Sequence, residues 1–210
     1  MKILFVSQHY RPEPFRLSDI CEDLVERGHE VTVLTGIPNY PEGKIYADYR
    51  NRQNRRETIE GVTVFRSYTI PRGKNTLHRI LNYFSFAISS SIGVLLGQYK
   101  AKDGSEFDCV FVNQTSPVMM AWAGMAYKNK YKKPLFLYCM DVWPDSLTVG
   151  GVKQDSLVFK LFKFISKKVY RASDYIFVTS PSFKNHFVNQ FDITEQKITY
   201  LPQYAEDLFI

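Results

Sequence analysis

The first forty-three residues, MKILFVSQHYRPEPFRLSDICEDLVERGHEVTVLTGIPNYPEG, constrain the fold more than any other stretch. An apolar run at residues 2–7 reads as a buried strand, and it opens into a polar, proline-marked loop at 8–14. A helix is expected over 15–27, stopping at Gly28, and a second buried strand over Glu30–Thr35 leads into another long polar loop. This is a βαβ unit whose loops after the strands are enlarged. In open α/β sheets ligands bind outside the carboxyl ends of the strands, so enlarged loops there point to a binding cleft.

Further strands are expected at 62–68, 107–113, 134–140, 174–179 and 197–201, with helices at 76–99, 117–131, 155–171 and 182–191. Alternation at this spacing predicts an α/β fold, a three-layer doubly wound parallel sheet. The strands are continuous apolar runs (Ile-Leu-Phe-Val, Cys-Val-Phe-Val, Leu-Phe-Leu-Tyr), as in sheets covered on both faces. Residues 37–56 are rich in Pro, Asn, Tyr and Arg and show no period, which reads as a long functional or mobile loop. The sequence finishes just after a strand, at TYLPQYAEDLFI, so a domain over 1–202 is expected, with 203–210 starting a linker to a second domain.

At 210 residues the chain holds a full core, and its 45% hydrophobic content excludes a disordered class. A net charge of +6 and a pI near 9.1 point to an anionic partner without choosing among nucleotide sugar, pyrophosphate lipid, acidic membrane or nucleic acid. Nucleic acid is disfavoured because the basic residues are not interleaved with aromatics on a recognisable motif. Cys21, Cys109 and Cys139 lie in apolar stretches without CxxC spacing, which reads as a reduced, cytosolic protein with no metal site. The apolar run near the start is too short for a signal peptide.

Two segments point to a membrane. No charge occurs between Ile80 and Tyr99, a length that meets the threshold for a spanning helix. Flanking strands of one sheet cannot lie on opposite sides of a bilayer, so the segment is either a helix buried against the sheet or one dipping partly into lipid. Over 156–171, Lys160, Lys163, Lys167 and Arg171 form a basic stripe beside an apolar one of Val158, Phe162, Ile165 and Val169. Such a helix lies on anionic lipid, or packs on the core with a solvated lysine face.

Several chemistries are excluded by missing motifs. No GxGxxG follows the first strand, and there is no GxxxxGK[ST], no GxSxG elbow and no His pair at metal-ligand spacing. Polar residues instead gather after the strands: His9, Arg11, Glu13 and Arg16; Asn39, Tyr40 and Glu42; Gln114, Thr115 and Ser116; then Asp141, Trp143, Asp145 and Ser146. All project to one sheet edge. Carboxylates beside cations suit a hydroxylated acceptor next to a phosphate, the needs of sugar transfer. Duller roles remain open: Asp141 capping a turn, Trp143 capping the sheet, and His29 closing the first helix. His78 and His186 read as surface residues of helices.

The segments KILFVSQHYRPE, LVERGHEVTVLTGIPNYPEG, DVWPDS and YLPQYAEDLF resemble the N-terminal domain of family 4 glycosyltransferases of the GT-B fold. They look most like the bacterial subgroup that builds O-antigen, capsule, colanic acid and lipopolysaccharide, including fucosamine transferases. The resemblance implies two facing Rossmann-like domains. The half seen here would hold the acceptor, and a second domain would hold most of the nucleotide sugar, UDP-linked, with no other cofactor and no metal. Such enzymes retain anomeric configuration, and this half alone is not expected to turn over. Many relatives carry Gly-Gly after the first strand where this chain has Pro12-Glu13-Pro14, and a His-Asp pair where it has Met140-Asp141.

The resemblance therefore leaves Asp141 to orient the acceptor hydroxyl, with Glu13 as an acceptor contact and Arg11 and Arg16 near phosphate. His9, Asn39, Tyr40, Gln114, Trp143 and Asp145 complete the expected substrate-binding set. A polyprenyl-pyrophosphate-linked glycan acceptor and a place on the inner face of the cytoplasmic membrane fit both the resemblance and the membrane signals. Two rivals stand: a non-catalytic flavodoxin-like binding module, and a GT-B sugar-nucleotide epimerase.

Overall fold

The computed structural model describes residues 1–73 and 75–203, so nearly all of the expected linker at 203–210 lies outside the described residues. Eight strands form one sheet in the order β3-β4-β2-β1-β5-β6-β7-β8. They are β1 (Lys2–Val6), β2 (Glu30–Thr35), β3 (Arg56–Ile59), β4 (Val62–Arg66), β5 (Cys109–Gln114), β6 (Leu135–Cys139), β7 (Tyr175–Val178) and β8 (Ile198–Tyr200). All neighbours pair in parallel except β3, which runs antiparallel to β4 along the edge. The helices are α1 (Leu17–Glu26), α2 (Thr76–Leu95), α3 (Trp122–Tyr131), α4 (Ser146–Val149), α5 (Leu157–Ala172) and α6 (Pro181–Phe191).

The chain moves outward from β1 to β2 and β4, then returns through α2 to start β5 on the other side of β1. The direction of winding reverses there, so the loops after β1 and β5 part and leave a crevice. Reversal also puts α1 on one face, over Phe5, Val33 and Val64, and α2, α3, α5 and α6 on the other. Beyond α1, the aromatic side chains of Phe111, Phe136 and Phe177 border an apolar groove of about 490 Å³ on that first face.

Local sequence explains the elements. Helix α1 turns Leu17, Ile20, Cys21 and Leu24 to one side, a helical period. It ends in a Schellman turn, with Gly28 at φ +82°, its N–H on the Val25 carbonyl and the His29 N–H on the Leu24 carbonyl. Gly124 lets α3 approach the sheet: a Cβ there would meet Val112 Cγ2 at 2.6 Å.

Two expectations are corrected, one at residues 37–56 and one along the basic stripe of α5. Residues 37–56 are not one structureless loop: two 3-10 turns cover Ala47–Arg52 with a kink at Arg50 and Asn51, and Arg56 opens β3, a strand that the sequence pattern does not predict. Strand β3 alternates exposed and half-buried residues and carries no apolar run, so nothing marks it as buried. The doubly wound parallel sheet is as expected, with this one antiparallel strand added at its edge.

The charge-free stretch is a helix with one face on the core, where Phe86, Ala87 and Val94 are buried. Its polar residues are satisfied inside the protein: Asn82 donates to the Ile70 carbonyl, and Ser90 to the Phe86 carbonyl. Among the described residues no helix is long and apolar enough to cross a membrane.

The basic stripe of α5 does not stand free. Lys163 donates to Gln190, and Lys167 and Arg171 both pair with Asp192 at the end of α6. Only Lys160 of the four expected membrane-facing cations projects away from these partners. The stripe borders the buried side of α5 and lies beside α6, with Arg171 still exposed to solvent.

Candidate functional site at the strand ends

Two side-chain constellations sit at the carboxyl edge of the sheet, one on each side of the crevice. The first is organised by Glu13. One carboxylate oxygen accepts the backbone N–H groups of Asn39 and Tyr40 at 2.8 and 2.7 Å, and the other meets His9 Nδ1 at 2.9 Å. Glu13 is only 2% exposed, so it serves as an internal brace between the loops after β1 and β2 rather than a surface contact. Asn39 is likewise spent inside: its amide donates to the Ile37 carbonyl and accepts from the Arg72 N–H. The His9 ring stacks on Phe15, centroids 4.6 Å apart, and Tyr40 meets both rings edge-on. With Nδ1 held by a carboxylate, the chemistry available to His9 lies at Nε2.

The second constellation gathers side chains from the loops after β5 and β6. Ser116 donates to Asp141 Oδ2 at 2.8 Å, and Trp143 Nε1 reaches the same oxygen at 3.1 Å. Asp141 Oδ1 has no hydrogen-bond partner among the described residues. Gln114 Nε2 donates to the Asp141 carbonyl, fixing the turn from behind. Trp143 is buried, its ring edge-on to Tyr83 of α2 and Phe162 of α5, so it caps the sheet and orients Asp141. Tyr170 holds that turn twice, accepting the Trp143 N–H at 3.0 Å and donating to the Trp143 carbonyl at 3.2 Å.

A cleft of about 210 Å³ runs between Phe15 and Arg16 on one side and Asn113, Thr115, Tyr138 and Met140 on the other, with Thr115 and Met140 next in sequence to Ser116 and Asp141. A more open cleft of about 580 Å³ adjoins it around Arg11, Pro12, Phe15 and Arg16. Arg16 thus faces both. Two expected contacts are also engaged inside the protein: Arg11, at the rim of the larger cleft, forms an ion pair with Glu22 of α1 at 2.7 Å, and Asp145 pairs with His186 of α6 at 3.1 Å. His186 is therefore half-buried and engaged rather than a plain surface residue.

Sequence reasoning missed Arg66. Its buried guanidinium pairs with Glu57 at 2.6 Å, donates to the Arg11 carbonyl at 2.6 Å and lies 4.5 Å over the Tyr49 ring. One side chain so ties the edge hairpin to the loop after β1. The available signal was a charge at the end of the apolar run VTVF. Among the described residues no cluster of His, Cys, Asp and Glu could hold a metal ion.

The sequence model described as Glycosyltransferase Family 4 matches residues 16–203. The chain belongs to glycosyltransferase family 4. Within this setting, 96 residues are 38% identical to WcaI of Escherichia coli (strain K12), described as a putative colanic acid biosynthesis glycosyl transferase; the match covers 43% of this chain and 23% of that protein.

Solved structures share the fold at low identity. HepE of Anabaena, determined with UDP and glucose, superimposes with a TM-score of 0.55 at 14% identity, over 98% of this chain and 45% of that one. Sucrose-phosphate synthase of Thermosynechococcus elongatus gives 0.57 at 13%, over 96% and 47%. The chain thus spans about half the length of these structures. The family 4 chain has the Rossmann-like N-terminal half of a GT-B fold, a mostly parallel eight-stranded sheet with helices.

Proposed function

We propose that this family 4 chain is the acceptor-binding half of a retaining, metal-independent glycosyltransferase. The observation that carries the reading is Asp141, in the loop after β6 and next to the cleft-lining Met140, bonded to Ser116 of the loop after β5 at the winding reversal, in a chain that the family model spans from residue 16 to 203. Residues 1–202 form the acceptor domain, and a second domain holds most of the nucleotide sugar. A UDP-linked donor is supported by HepE having been solved with UDP and glucose. Transfer of an N-acetylated amino sugar to a lipid-linked glycan, in surface polysaccharide synthesis at the inner membrane face, is supported by the likeness to WcaI.

Each residue then has a physical task. Asp141 accepts a hydrogen bond from the attacking hydroxyl through Oδ1, while Ser116 and Trp143 hold Oδ2 and fix the carboxylate plane. Arg16 brings positive charge to the cleft, where pyrophosphate of donor or carrier would sit. His9 and Tyr40 pack behind Phe15 on the Arg16 side of the cleft, and Glu13 positions both.

The test is transfer from a radiolabelled UDP-sugar panel to membrane extracts by the full-length enzyme. Asp141→Ala should lower turnover by about 100-fold or more, the scale of positioned acid–base groups. Turnover within a few-fold of wild type would remove Asp141 from the reaction.

A further inference from the structure

The helices on the two faces of the sheet carry opposite charge. Helix α1 has four acidic residues, Asp19, Glu22, Asp23 and Glu26, and no lysine or arginine. Helices α2, α3 and α5 on the other face have no aspartate or glutamate, against one arginine in α2, two lysines in α3 and five cations in α5. Acids flank α5 at Asp155 and Asp174, two positions outside either end, and Asp192 pairs with Lys167 and Arg171 on the side away from Leu157, Leu161 and Phe164.

The same layer exposes apolar side chains. On α5, Leu157, Leu161 and Phe164 are 84%, 56% and 58% exposed, and their i, i+4, i+7 spacing puts them on one stripe. Lys168 continues that stripe with its ammonium 4.4 Å over the Phe164 ring, and Lys160 flanks it in solvent. On α2, Leu81, Ile88, Ile92 and Leu95 form a second exposed stripe. Both helices bury their opposite sides in the same core cluster on one face of the sheet, so both stripes point away from it in the same direction.

We propose that this outward face rests on an anionic lipid surface, with Leu157, Leu161 and Phe164 entering the headgroup boundary and Lys160 and Lys168 meeting the headgroups. Apolar side chains rimmed by lysine, with no acid among them, match the interfacial helix pattern. Because α5 connects parallel strands, it begins at the edge where β6 ends. Its most exposed residue, Leu157, is therefore on the side of the Asp141 constellation, and docking would bring the cleft to the membrane plane. That consequence rests on a lipid-linked acceptor, as proposed for the transferase, whereas the docking itself does not.

The test is co-sedimentation of the purified protein with vesicles of phosphatidylcholine alone or with one quarter phosphatidylglycerol, lacking glycan and nucleotide sugar. Binding to the anionic vesicles is expected, falling about tenfold or more for Leu161→Glu with Phe164→Glu, and similarly for Lys160→Glu with Lys168→Glu. Lys167→Gln, on the side paired with Asp192, should bind as wild type, and circular dichroism melts check that each variant is folded. Should the apolar pair fail to fold, the lysine pair still decides the matter.

No binding of the wild type to anionic vesicles overturns the proposal, as does undiminished binding by both double variants. So does a wild-type oligomer that Phe164→Glu splits, because another copy would then cover the face. Transfer to a detergent-solubilised acceptor by the full-length enzyme is measured separately. Its absence alongside intact vesicle binding would sink the transferase reading and leave the docking face standing.

Discussion

At the scale of single residues, the strand-end site depends on side chains that never touch a substrate. Tyr170 is fully buried, and burial pushes its phenol well above its ordinary range, so it stays a neutral donor and acceptor for both main-chain groups of Trp143. Tyr170→Phe would leave the Trp143 N–H buried without a partner, at a cost of about 1–3 kcal/mol. Urea unfolding should show the lower midpoint, and an unchanged midpoint would mean that another group takes over that N–H. The same variant should lower turnover of the full-length enzyme through the tilt of Trp143 against Asp141. Arg66 and Glu13 act alike on the other side of the crevice, since each spends its charge inside the protein to hold two loops together. Polar residues at strand ends were legible as a group. Which of them face outward was not, because a pairing such as Asp145 with His186 joins residues forty-one positions apart.

At the scale of elements, periodicity told helices from buried strands because each has its own repeat. It was silent on β3, whose four residues RETI have neither length nor an apolar face. The turn after it carried the better signal: Glu60 and Gly61 both have positive φ, as a tight hairpin requires. The close contact of α3 with β5 and β6 is a packing constraint of the same scale. Gly124→Ala would drive a methyl against Val112 and Leu135, and overpacking of this kind costs about 1–3 kcal/mol. Thermal denaturation of that variant should start at lower temperature. A melting point equal to wild type would show that the helix shifts outward without penalty.

For the whole molecule, the alkaline limit of stability comes from buried phenols. Burial raises the Tyr127 hydroxyl from its ordinary 10.0 to about 12, and it also accepts the Phe107 N–H at 2.6 Å. Tyr10, Tyr99 and Tyr170 are raised as well, chiefly by burial. A phenol whose folded pKa exceeds its unfolded one contributes stability that is complete below the unfolded value and lost as pH rises through the folded one. The melting temperature should therefore hold up to about pH 10 and fall between there and about pH 12. A melting temperature that stays flat over that window would mean these tyrosines ionise in the folded state. Charge is also a property of this scale. The total of +6 hides an acidic helix on one face of the sheet and a basic layer on the other.

The sequence by itself determined the βαβ winding, the enlarged strand-end loops and the absence of nucleotide- and metal-binding motifs, because each is a local pattern read over a few residues. Only the tertiary structure decided what those residues face. It turned Lys163, Lys167 and Arg171 toward α6 and left Leu157, Leu161 and Phe164 in solvent. It also drew Ser116, Asp141 and Trp143 into one hydrogen-bonded set. The physical reason is that a helical or strand repeat fixes which side chains share a face but not which neighbour covers that face. Coverage is set by strand order, and the return of the chain across β1 is a choice made by the packing of the whole sheet.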